Sequence, residues 1–207
     1  MGGIFHPNGL AMKCMNWLAD MCQIQLLWIF YSLRGGIVLG LFPATRAMFY
    51  MHRQLIMKNE VASLSQQFKM EYRQHFKRAN QMGYVISGIG AFLMLYLRST
   101  LLLKIDFAFY FIALAYALVV FFILLNLYML VMLSHLKLDE KEVWRQALFV
   151  IFLSPGHTLL ILLVLFAFFF MVRVIPVLTP VLLIAVLSYV VSYVALKAIN
   201  KVICHYQ

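Results

Sequence analysis

The stretch FAFYFIALAYALVVFFILLNLYMLVML, Phe107 to Leu133, decides the fold: twenty-seven residues without a charge and with one strongly polar side chain, Asn126. A helix rises ~1.5 Å per residue and a bilayer core is ~30 Å thick, so this run crosses a membrane with some tilt. Two comparable runs follow, Leu148 to Val172 and Val177 to Leu196. Together they define an all-α, polytopic membrane helix bundle.

Composition agrees with that reading. The chain of 207 residues is 65% hydrophobic, with mean hydropathy +0.92, whereas a soluble domain is about half apolar. Only 12% of residues are charged. They gather in short segments between apolar runs, so residues 1–207 read as a single integral membrane domain. In a soluble protein the net charge of +10 would suggest nucleic acid. Here the positive-inside rule accounts for it, and neither zinc-finger spacing nor an aromatic RNA-binding signature is present. The three cysteines, Cys14, Cys22 and Cys204, give an odd count and no disulfide framework. The start shows no secretory pattern, and His6 stands where a myristoylation signal has Ser or Thr.

Upstream, a first span is expected from Trp17 through Leu33, ending in Arg34-Gly35-Gly36. A charge and two glycines suit an elbow better than a helix centre. Pro43 is then expected to open a new helix at its first turn. From Pro43 to Lys58, apolar Ala47, Met48, Met51 and Leu55 interleave with Arg46 and Arg53, as in a helix lying on the membrane surface. Glu60 to Gln81 is polar and basic, with Phe68, Tyr72, Phe76 and Ala79 on one face and Lys69, Arg73, Lys77 and Arg78 elsewhere. A second span, Gly83 to Leu97, is short and borrows residues up to Leu103, with Arg98 snorkelling. Small residues Gly83, Ser87, Gly90 and Ala91 offer it a face for close helix contact. Pro176 and Pro180 reverse the chain between the last two runs.

That is about five spans with cytosolic amphipathic helices. Basic residues then divide twelve (Arg46, Arg53, Lys58, Lys69, Arg73, Lys77, Arg78, Lys137, Lys141, Arg145, Lys197, Lys201) against four (Lys13, Arg98, Lys104, Arg173). The expected topology is a plasma-membrane protein with its N-terminus outside and its C-terminus cytoplasmic. An internal echo pairs Glu71-Tyr72-Arg73-Gln74 with Glu142-Val143-Trp144-Arg145-Gln146, and Tyr50-Met51 with Tyr128-Met129. Duplication and chance both remain open as its origin.

The chemistry-bearing residues point away from catalysis. No pair of carboxylates sits in an apolar run, the histidines lack ligand spacing on one helix, and no Walker loop occurs. No enzyme, metal or cofactor is expected. His157 lies in Ser154-Pro155-Gly156-His157-Thr158, which reads as a kinked helix satisfied by Ser and His side chains. Arg34 is the one candidate for an intramembrane charge, and an interfacial Arg reaching lipid phosphate is the plainer account. The basic faces carrying Arg73, Lys77, Arg78 and Arg145 read as lipid anchors or as docking surfaces for a partner.

At Gly40-Leu41-Phe42-Pro43-Ala44-Thr45-Arg46-Ala47 the chain resembles the YesL family of bacterial membrane proteins, which has a Pro-Ala-Thr segment after its first span. Phe68-Lys69 and Phe76-Lys77-Arg78-Ala79 also resemble the family's Phe-rich basic stretch. Arg46 stands where that family often has Ala. The resemblance assigns no biochemical activity. Because such proteins are typically found beside carbohydrate importers of the ABC type in Gram-positive bacteria, it implies a non-catalytic accessory role with partners such as ABC permease subunits. A small homo-oligomeric transporter, or a membrane-resident regulator of sugar or envelope metabolism, are the alternatives.

Overall fold

The run from Phe107 folds as one helix, Ala108–His135, and the last part of the basic segment, from Phe76, runs straight into the second span as Phe76–Leu101. The run from Leu148 behaves differently. It breaks at Ser154, because Pro155 cannot donate to the turn before it, and proline suits the first turn of a new helix. Ser154 Oγ donates to the Val150 carbonyl at 2.7 Å, and Thr158 Oγ1 donates to the Ser154 carbonyl at 3.2 Å. Ser and Thr, rather than the expected His157, take up these carbonyls.

This computed structural model describes residues 10–59, 63–102, 107–135, 140–174 and 182–206. The expected reversal at Pro176 and Pro180, the first nine residues, and Lys104 and Lys137 lie outside them. Among the described residues the chain forms α1 Leu10–Arg34, α2 Val38–Ile56, α3 Leu64–Gln74, α4 Phe76–Leu101, α5 Ala108–His135, α6 Glu140–Leu153, α7 Pro155–Val174 and α8 Ile184–Tyr206. Four of these, α4, α5, α7 and α8, are long and apolar enough to cross a membrane. The expected five reduce to four because α1 carries Asp20, Gln23 and Gln25 along its length.

The elbow after α1 is present, but Pro43 does not open the helix beyond it. α2 begins five residues earlier at Val38, and Pro43 lies inside it. The turn itself starts the helix: Gly36 has φ +75 and Ile37 φ 60. α1 and α2 then run back along each other as a hairpin. Trp28 Nε1 donates to Thr45 Oγ1 at 3.1 Å, and farther from the elbow Trp17 and His52 meet the same ring, Tyr189. The start of α1 therefore lies beside the end of α2. An external N-terminus and a cytosolic Arg53 and Lys58 do not fit together in such a hairpin.

α2 is also not a surface helix. Pro43, Ala44, Ala47, Met48, Phe49, Met51 and His52 are all buried, and α2 packs against α1, α3, α4, α5 and α8. The pattern read as amphipathic is that of a helix enclosed on most sides, whose charges find partners within the bundle. Arg53 Nη1 donates to the Ser134 carbonyl at the end of α5, at 2.8 Å.

Around α2 the chain builds one architecture twice. A short helix, a one-residue break and two long helices packed on each other occur as α3, His75, α4, α5 and again as α6, Ser154, α7, α8. In each unit the second long helix packs on α2. The echo in the letters is out of register with this repeat: Gln74 adjoins its break, whereas Gln146 lies eight residues before Ser154.

Two polar contacts bind α8 to the hairpin. Gln25 Oε1 accepts from the Ala185 backbone N–H at 2.9 Å, satisfying a donor in the first turn of α8. His52 Nε2 lies 2.8 Å from Ser188 Oγ. Burial pushes the His52 pKa down to about 3, so the ring is neutral. Its folded pKa lies below the unfolded value of 6.5. The stability gained from keeping it neutral is complete above pH ~6.5 and is lost as pH falls toward 3. Melting in detergent at pH 7 and pH 4.5 is expected to show a loss that His52→Gln reduces. Equal slopes in both proteins would refute this.

Candidate functional site

α3 has the sequence LSQQFKMEYRQ. Phe68 and Tyr72, four residues apart, share one helix face. Both are buried against Tyr31 of α1, with ring centroids 5.4 and 4.9 Å away, and Tyr72 continues onto Phe76 at 5.5 Å. Each such ring contributes roughly 1.5–3 kcal/mol through burial. The other face leaves Lys69, Met70, Arg73 and Gln74 exposed.

At His75 the backbone leaves the helix (φ −109, ψ 10) before α4 starts at Phe76. The break turns the end of α3 and the first turn of α4 toward one open cleft, lined by Arg73, Gln74, His75, Phe76, Lys77 and Arg78. Three of the four cations expected to dock are thus brought together, all exposed. The fourth, Arg145, sits on α6, where Nη2 donates to Glu142 Oε1 at 2.5 Å; α6 packs against α5, α7 and α8.

Beneath the cleft lies a small charged cluster. Glu71 Oε1 is 3.6 Å from Arg46 Nε and 3.4 Å from His75 Nε2. Burial raises the Glu71 pKa, opposed by Arg46 and Arg53. Burial first, then Arg46 and Arg78, lowers that of His75. The carboxylate beside His75 would favour its charged form, but desolvation and two cations outweigh it. Glu71 is therefore engaged below while the cations above remain exposed, and the cleft presents positive charge.

The other expected site residues are structural. Arg34 is exposed at the elbow, with its charge felt by Tyr72 rather than by a bilayer-buried acid. Gly35 and Gly36 form the turn; Pro43 and Ala44 are buried in α2; Thr45 joins the two arms of the hairpin. Of the small residues on α4, Gly83 meets Phe42 and Gly90 meets Phe122, but Ser87 and Ala91 are exposed. The His52–Ser188 and Gln25–Ala185 contacts were not legible in the letters. Their partners lie 136 and 160 residues apart, and no motif marks them.

The architecture defines a class, that of multi-pass α-helical membrane proteins, here with a buried central helix and a basic cleft where a short helix meets a span. Residues 21–97, from α1 through most of α4, match the family model described as "Protein of unknown function, DUF624". Among curated proteins, the uncharacterized protein YesL of Bacillus subtilis (strain 168) is 30% identical over 158 residues, covering 74% of this chain and 71% of YesL. The uncharacterized protein YteU of the same organism is 27% identical over 200 residues, covering 95% and 88%. The chain belongs to the DUF624 family, as the sequence resemblance implied. No solved structure matches it.

Proposed function

We propose that the protein is a non-catalytic membrane subunit that docks a larger assembly through the cleft of Arg73, Lys77 and Arg78, and that this assembly is a carbohydrate importer of the ABC type. The observation that supports docking is the convergence of these three exposed cations at the start of a candidate span, with Glu71 of the same helix engaged by Arg46 and His75 instead. The importer rests on the family resemblance. In this reading the cleft faces the cytosol, together with the ends of α2 and α5. The start of α1, beside the end of α2, is then cytosolic as well. Moving Lys13 across turns twelve cations against four into thirteen against three, strengthening the positive-inside bias.

Mild-detergent purification with mass spectrometry tests the assembly. Permease subunits are expected in the wild-type eluate. The double variant Arg73→Glu with Lys77→Glu is expected to keep near-normal expression, since exposed charges contribute little to folding. It is expected to lose at least about tenfold of the partner, and raised salt is expected to weaken the wild-type complex. An unchanged complex would leave only lipid anchoring for these residues, and a clean homo-oligomer would favour self-assembly.

Exposed Cys14, near the start of α1, reports sidedness directly. In a Cys22→Ser, Cys204→Ser background, an impermeant maleimide is expected to label it only after cells are opened. Labelling in intact cells would reverse the proposed topology.

A further inference from the structure

Between α2, α4 and α5 lies a cavity of about 220 Å³, walled mainly by apolar side chains that include Phe42, Met82, Ile86, Met129 and Leu130. Its volume falls below the ~300–1,000 Å³ typical of small-molecule pockets. At ~30 Å³ per water-sized group it holds about seven chain atoms. That is too small for a sugar ring with its hydroxyls and suits a short, few-atom group. Two of its walls are candidate membrane spans, whose outer faces carry exposed Val85 and Ile89 on α4 and Leu118 and Ile123 on α5.

The wall also holds one unmet polar demand. Asn126 Nδ2 donates back to the Phe122 carbonyl at 2.7 Å, while its Oδ1 is buried without a hydrogen-bond partner in the protein. Thr45, on the same wall, is occupied: it accepts from Trp28 and donates to the Leu41 carbonyl at 2.8 Å. Arg46 is engaged with Glu71. The missing group is therefore a hydrogen-bond donor, and a buried amide oxygen without one is disfavoured.

We propose that this cavity takes the hydroxyl-bearing end of one membrane lipid, whose hydroxyl donates its hydrogen to Asn126 Oδ1 while its acyl chains lie along the exposed apolar faces of α4 and α5. The protein thus selects one lipid from the bilayer at the centre of its first repeated unit. The site is separate from the basic cleft and does not depend on the docking reading.

Native mass spectrometry of delipidated, detergent-purified protein tests this with two probes. Dioleoylphosphatidylglycerol and dioleoylphosphatidylmethanol have the same chains and the same phosphate charge, but only the first carries free hydroxyls. Wild type is expected to retain one phosphatidylglycerol with roughly fivefold preference, the scale of one hydrogen bond. Asn126→Leu is expected to erase the preference without lowering the melting temperature, because it removes an unpaired polar group. Leu130→Trp, which fills the cavity, is expected to lose tight retention of both lipids. The Arg73→Glu, Lys77→Glu protein is expected to bind both less well while keeping the preference. Equal retention of the two lipids by wild type, or an undiminished preference in Asn126→Leu, would overturn the proposal. If Leu130→Trp does not fold, the Asn126→Leu comparison decides alone.

Discussion

Gly35→Leu is expected to leave almost no folded protein in the membrane. A Cβ at Gly35 would lie 2.3 Å from Gly40 Cα and 2.6 Å from Tyr72 Oη. The first neighbour is backbone and has nowhere to retreat without separating α1 from α2. The cost exceeds the ~1–3 kcal/mol of ordinary overpacking. Gly40→Leu is expected to fail in the same way, since its Cβ would sit 2.3 Å from the Ser32 carbonyl oxygen. Gly36→Leu is the graded case: space is open, but φ is +75, so backbone strain of roughly 1–3 kcal/mol remains. Ile37→Gly, at φ 60, is expected to stabilise by about 1 kcal/mol. Gly88→Leu, with nothing within 4 Å, serves as the control. Detergent melts and size-exclusion yields read the series. A Gly35→Leu protein that melts like wild type would refute the close hairpin.

Phe68→Ala carries the second large effect, about 3–5 kcal/mol for a fully buried ring cut to a methyl. Phe68 is fully buried, and its stack on Tyr31 holds α3 to the hairpin. Loss of that stack is expected to free α3 and speed trypsin cleavage after Lys69 manyfold. It should also scatter the cleft, because Arg73 is placed by the same helix. Met70→Ala changes the opposite, 66%-exposed face and is expected to alter neither melting nor cleavage. If both variants behave alike, α3 is not anchored through its aromatic face.

The helices that cross the membrane were legible because hydrocarbon thickness imposes a length, and Phe107 to Leu133 meets it without interruption. The amphipathic face of α3 was legible for a similar reason, as Phe68 and Tyr72 recur at helical spacing. The elbow could be read from Arg34-Gly35-Gly36, but the helix start was misplaced at Pro43. The proline rule was sound and operates instead at Pro155, where Ser154 precedes it in an otherwise apolar run. Helix α2 is the least legible element. Its cations suggest a surface, and only tertiary contacts show Arg46 meeting Glu71 and Arg53 meeting the end of α5. Spacing along one helix carries no information about which other helices enclose it. The cleft was half legible: Arg73 and Lys77 share a helical spacing, but the break at His75 that gathers them with Arg78 has no strong breaker residue to announce it.

Two contacts between α8 and the hairpin join residues made early to residues made late. His52 is polymerised 136 positions before Ser188, and Gln25 160 before Ala185. At ~5–20 residues per second, the second member of each pair follows the first by on the order of ten seconds. A chain made only as far as α7 would leave the His52 imidazole and one flank of α2 uncovered. Docking of α8 closes that flank of α2 and gives His52 its Ser188 partner in one step.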